Sequence, residues 1–206
     1  MDLPKSFLQS ERLSFYSGII LAIAYGFFAY VHLMGFKRTH EWILLLICFS
    51  ETLTIFFLFI RSNPNSVSVL GFDWIVALGG TFAPLLLRPA SWGIAPMGKY
   101  VTAVGVIIQI AGLCSLNRSF ALVAAKREIK TKGLYRCVRH PLYASYFLIL
   151  GGYVLANTTI ANLSIYIATL ALLFIRAFRE EEHLSQDIQY REYMQKVNYR
   201  IIPYVY

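Results

Sequence analysis

The sequence predicts an all-α, polytopic membrane protein of about six hydrophobic helices, five at the fewest, followed by a C-terminal cytoplasmic amphipathic helix. Three observations predict it. The 206 residues are 57% hydrophobic and only 15% charged, whereas soluble domains carry about 25% charged and about 45–50% apolar residues. The apolar residues fall into blocks close to the roughly 20 positions needed to cross a bilayer. The net charge of +8 is spread very unevenly over the intervals between those blocks.

The blocks follow one another along the chain. Ser14 to Gly35 holds no Asp, Glu, Lys or Arg. It is longer than the roughly 7–15 residues of a secretory h-region, and further segments follow, so it reads as a span that stays. Trp42 to Ile60 carries one charge, Glu51, whose burial asks for a partner and which could line an acceptor route. Val69 to Leu87 carries Asp73 near its start, with Gly79, Gly80 and Pro84 inside it. Tyr100 to Leu116 has no charge. Leu142 to Ala156 and Ile160 to Ile175 are shorter, and Asn157-Thr158-Thr159 reads as the tight turn of a helical hairpin. Tyr190, Tyr193 and Val197 share one face of a last helix, a pattern that covers the protein itself or lipid headgroups. This divides the chain into N-terminal membrane helices, 1–117, and a basic loop, hairpin and final helix, 118–206.

Charge gives the orientation. With six spans, one side holds the N-terminus, Arg61, the loop from Asn117 to Pro141 and the tail. Of the nineteen Lys and Arg, all but Lys37, Arg38, Arg88 and Lys99 lie there, fifteen in number. Basic residues stay cytoplasmic, so both termini are expected on that side. Topology and anionic headgroups account for the basic pI, and no nucleic-acid partner is expected. Cys48, Cys114 and Cys137 fit no metal or redox spacing and read as free thiols. His32 and His40 have no evident metal partners, and no metal is expected.

The chemistry-bearing residues gather at the two ends of the last hairpin. Arg136, Arg139 and His140 precede it; Arg176, Arg179, Glu180, Glu181, Glu182 and His183 follow it. An antiparallel hairpin brings its ends together, so cations should face carboxylates across a narrow gap. Arg176, Glu180, His183 and Asp187 follow i, i+4, i+7, i+11, one face of a helix, which leaves Arg179 and Glu182 to solvent. Pro141 suits the first helical turn, which pushes His140 toward an extended backbone at the start of the helix. A cation beside free N–H groups there binds carboxylate or phosphate.

These residues also form a pattern. Gly133-Leu-Tyr135-x-x-x-Arg139-His140-Pro141-Leu-Tyr143, a hydrophobic hairpin, Arg176-x-x-x-Glu180-Glu181-x-x-Leu184, Tyr190-x-x-Tyr193 and Arg200-x-x-Pro203 resemble the isoprenylcysteine carboxyl methyltransferase family. That family comprises integral membrane enzymes related to the phospholipid methyltransferases, and the resemblance covers about residues 115–205. It implies a cytoplasmic pocket for S-adenosylmethionine and a lipophilic acceptor arriving from the bilayer. By this resemblance Tyr135, His140, Pro141, Tyr143 and Glu181 bind the cofactor, Arg139, Arg176 and Glu180 are catalytic, and 118–206 is the catalytic region. Independently, the cofactor's carboxylate, ammonium, sulfonium and adenine want a cation, a carboxylate and aromatic walls, which these residue types offer. Ser145 stands where the family commonly has Gly, and the segment before the final tyrosines also departs from the pattern.

Two other readings remain open. Val197-Asn-Tyr199-Arg200-Ile-Ile-Pro203-Tyr-Val-Tyr206 also resembles the tail of membrane sterol reductases, which bind NADPH. Those chains usually have Asn where this one has Leu142, and a carboxylate run repels a 2′-phosphate. A transporter or scaffold is the non-enzymatic reading, drawn from Gly79, Gly80, Pro84 and Glu51.

Overall fold

The computed structural model describes residues 11–62, 66–67, 71–120, 125–126 and 128–205. The expected placement of the N-terminus, the loop positions 63–65 and the first two residues of the third predicted segment, 69–70, lie outside them. Every predicted hydrophobic segment forms a helix: α1 Glu11–Thr39, α2 Trp42–Ile60, α3 Gly71–Phe82, α4 Gly98–Leu116, α5 Pro141–Ala156 and α6 Ile160–Leu184. A nine-residue α7, Ile188–Lys196, follows. The strands are a two-residue antiparallel pair, β1 Ser66–Val67 with β2 Ala125–Lys126.

Four of these helices are long and apolar enough to cross a membrane: Gly18–Thr39, Trp42–Ile60, Gly98–Ser119 and Ile160–Leu184. The other two are shorter for identifiable reasons. In α3 the helix stops at Phe82 and continues as a 3-10 turn, Ala83–Leu86, where Pro84 cannot donate. Pro141 starts α5 and Asn157 ends it after 16 residues, about 24 Å at 1.5 Å per residue against a hydrocarbon core of about 30 Å. Along α1, Ile20, Ile23 and Phe27 are 67%, 68% and 62% exposed at helical spacing, an outward face suited to lipid rather than water.

The helices pack in the order α1–α2–α4–α5–α6–α3, an arc in which each touches its neighbour. The closest approach is between α4 and α5. Gly98, Gly105 and Gly112 recur every seventh residue on one face of α4, and a side chain at Gly105 would sit 2.7 Å from the Ile149 amide nitrogen. Backbones brought this near gain dispersion contacts that lipid does not supply. Thr102 adds a hydrogen bond to the Ile149 carbonyl at 3.1 Å.

Polar contacts define the two ends of the bundle. At one end the β1–β2 pair, the Ser62 amide bonded to the Arg118 carbonyl, and Arg118 Nε bonded to the Ile60 carbonyl tie two loops together. At the other, Asn162 is 1% exposed and bridges Arg88 and Asn157 through three hydrogen bonds. Between the ends, Glu51 meets His32 Nδ1 at 2.9 Å across the α1–α2 hairpin. The expectation that Glu51 needs a partner is thus met by a residue expected to be unremarkable.

Candidate functional site

The first strand of the site is the turn that carries the motif glycine. Gly133 has φ +63° and a side chain there would overlap the Ser115 hydroxyl of α4, so this position requires glycine. The 3-10 turn Gly133–Arg136 then buries Tyr135 and leads into the corner Val138–His140. At the corner the Arg139 amide donates to the Tyr199 carbonyl at 2.9 Å and the His140 amide to the Arg200 carbonyl at 2.8 Å. The tail therefore lies along the corner like a short paired strand. Pro141 opens α5 as its first residue, as expected.

The two ends of the α5–α6 hairpin do meet, and Glu181 is where they join. Its carboxylate accepts from Arg139 Nε at 2.7 Å, His140 Nε2 at 3.1 Å and Arg200 Nε at 2.9 Å. Arg139, His140 and Glu181 are all buried, and Arg139 also donates to the Val197 carbonyl at 3.1 Å. One carboxylate thus locks two guanidinium groups, an imidazole and two chain segments. The hydrogen bonds within the group offset the cost of taking these charges out of water.

A second, more open layer lies beside it. The Tyr143 hydroxyl donates to Glu180 Oε2 at 2.7 Å, and its ring stacks on His140 with centroids 5.2 Å apart. The Arg176 guanidinium lies 5.3 Å from the Tyr143 ring centroid and reaches Thr81 Oγ1 at 3.4 Å. Tyr190 and Tyr193 of α7 are buried against this layer, and the Tyr193 hydroxyl donates to the Tyr135 carbonyl at 2.8 Å. Burial raises the hydroxyls of Tyr135, Tyr190 and Tyr193 above their usual range, so all three stay protonated donors.

Together these groups wall a cleft enclosing about 950 Å³, its solvent-filled mouth included. Among the predicted residues, Tyr135, Arg139, His140, Tyr143, Arg176 and Glu180 line it. Glu181 and Pro141 stand behind the wall, Glu181 gripping Arg139 and His140 from the rear. The cleft also takes in Tyr25 from α1, Thr81 from α3, Tyr146 from α5, Glu128 and Lys130 from the loop, and Tyr190 and Tyr193 from α7. No local pattern pointed to Tyr25 or Thr81, which lie far from the motif in the chain.

Two sequence expectations change. Asp187 is not on the α6 face with Arg176, Glu180 and His183: the helix ends at Leu184, and Asp187 caps α7 by accepting from the Gln189 amide at 2.8 Å. Arg179 is not merely solvated, because it binds the buried Asp73 of α3 at 2.8 Å. Ser145, which stands where the family commonly has glycine, is fully buried with its hydroxyl turned back to the Leu142 carbonyl at 2.6 Å, so it adds no unsatisfied polar group. The three cysteines form no disulfide, and no cluster of metal-ligating side chains occurs among the described residues.

The fold and site define a helical membrane protein with a polar, aromatic-walled cup at one end of its bundle. Residues 95–191, from the start of α4 into α7, match the family model for phospholipid methyltransferases. A comparison with curated proteins finds no match.

Proposed function

We propose that this protein transfers a methyl group from S-adenosylmethionine to a lipophilic acceptor embedded in the membrane, with a carboxylate as the favoured acceptor group. The observation that carries the reading is the meeting of the Arg139–His140 corner with Glu180 and Glu181 beside an aromatic cleft. The family match supports methyl transfer as the class of activity.

The residues present fit the donor. Arg139 offers a guanidinium and His140 an imidazole for a carboxylate, Glu180 a carboxylate for an ammonium, and the tyrosines apolar faces and protonated hydroxyls. Bound there, S-adenosylmethionine supplies a methyl group made electrophilic by its sulfonium. Glu181 positions Arg139 and His140 without touching the cleft. Arg176 orients the acceptor carboxylate, whose planar pair of oxygens matches a guanidinium fork. A carboxylate acceptor needs no general base, so the remaining task of the chain is positioning and exclusion of water. An amine or thiol acceptor instead loses a proton, with Glu180 or His183 as the nearest bases of this reading. The basic residues on the loops at this end support a cytoplasmic site and cytoplasmic termini.

The experiment is incubation of purified protein and membrane extract with methyl-labelled donor, followed by identification of the labelled lipid. Equilibrium dialysis should show saturable donor binding. Saturable NADPH binding with none of the methyl donor would overturn the reading in favour of a reductase, and transport of solute into sealed vesicles without donor turnover in favour of a transporter.

A further inference from the structure

We infer that Thr81, on α3 and outside the segment matched to the methyltransferase family, is a positioning residue that aims Arg176 at an anionic acceptor headgroup. The inference rests on the proposed methyl transfer and deepens it, because it assigns acceptor selectivity to the N-terminal helices.

The argument begins with Gly79 and Gly80. A side chain at Gly79 would lie 3.2 Å from Leu172 Cδ1 and one at Gly80 3.4 Å from Leu173 Cδ2, so the glycine pair sits where α3 meets α6. The buried Asp73–Arg179 pair pins the same two helices one end along. With both contacts set, Thr81 arrives as the second-to-last residue of α3, just before the helix gives way to its 3-10 turn, and its side chain lines the cleft.

The hydroxyl of Thr81 is not symmetric in its roles. It donates its one hydrogen to the Ala77 carbonyl at 2.8 Å, which leaves its lone pairs to accept, and Arg176 Nη1 lies 3.4 Å away. On the other side, the guanidinium rests against the Tyr143 ring, whose own hydroxyl is committed to Glu180. The plane of the Arg176 fork is therefore set by α3 and α5 together. A flexible arginine on a cleft wall attracts any anion weakly, whereas a fork held in one plane favours the planar or tetrahedral oxygens of carboxylate or phosphate. Tyr25 and Tyr146 line the same cleft and offer apolar faces and hydroxyls. Both carboxylate and phosphodiester headgroups share the required chemistry.

The test compares wild type, Thr81→Val and Thr81→Ser in detergent, each saturated with S-adenosylhomocysteine. The probes are palmitate, hexadecyl phosphate and hexadecanol, which share a chain and differ in the head. The wild type should bind at least one anion more tightly than the alcohol, and the tighter anion names the headgroup class. Thr81→Val should weaken that anion about fivefold, the worth of one modest hydrogen bond, with hexadecanol and S-adenosylhomocysteine affinities unchanged. Thr81→Ser should restore it. The inference is overturned if the wild type does not prefer either anion, if valine leaves the anion affinity intact, if all three probes weaken alike, or if serine does not rescue. Failure of the wild type to bind S-adenosylhomocysteine would instead remove the methyltransferase reading on which the inference stands.

Discussion

Replacement of Glu181 by glutamine is the sharpest probe of the site. The carboxylate side chain is 5% exposed, and its partners Arg139 and His140 are 8% and 5% exposed, whereas Arg200 is 27% exposed. The Arg200 contact is thus partly screened, and most of the loss falls on the buried pair. Breaking a buried ion pair by removing one partner costs about 3–5 kcal/mol. Glutamine keeps one acceptor oxygen but turns an NH₂ group toward a guanidinium that has only donors, so about 3 kcal/mol is expected. That corresponds to about 150-fold in an equilibrium constant. Two assays divide it. Thermal unfolding in detergent should fall by several degrees, and donor affinity measured well below the new midpoint should fall because Arg139 and His140 lose their orientation. Since Glu181 acts through those residues, Glu181→Gln combined with His140→Ala should lose less donor affinity than the sum of the single changes. Membrane insertion should be unaffected. Wild-type melting together with wild-type donor affinity would refute the reasoning, and strict additivity of the two changes would refute the indirect route.

Two further outcomes follow from the packing. Gly105→Ala places a methyl 2.7 Å from the Ile149 amide nitrogen and 2.8 Å from Ile149 Cγ1, so it should cost about 1–3 kcal/mol, read as a lowered melting temperature. Ala103→Gly, on the same helix, is the control for helix propensity. Asp73→Ala leaves Arg179 without its buried partner and should destabilise by about 2 kcal/mol, while Arg179→Ala in that background should cost little more, a coupling that a double-mutant cycle reads directly.

Much of the site was legible because its chemistry is local. The Arg139-His140-Pro141 corner and the Glu180-Glu181 run each sit within a few residues, and the Asn157–Thr159 turn announces that the helices between them reverse. Periodicity then brings the two together without any knowledge of the rest of the bundle. What escaped depends on contacts between distant helices. Asp73 and Arg179 are 106 positions apart, and helical spacing on α6 alone leaves Arg179 facing outward. Thr81 and Tyr25 carry no local signature, since a threonine or tyrosine in an apolar segment is ordinary. The glycine spacing 98, 105, 112 was visible in the sequence, but only the packed backbones of α4 and α5 give it meaning. The extent of α6 also misled: helical periodicity carries Asp187 along a helix that in fact ends at Leu184.

The corner that holds Arg139 and His140 receives its backbone partners from Tyr199 and Arg200, and Glu181 receives its second guanidinium from Arg200. During synthesis, α5 and α6 enter the membrane some sixty to twenty residues before those partners have been made. Through that interval the Glu181 carboxylate, Arg139 and His140 must wait without their final arrangement, so the cup assembles as a late docking event, separate from insertion of the helices. A ribosome stalled before residue 200, or a bulky fusion crowding the tail, would leave a properly inserted bundle with an unfinished cup.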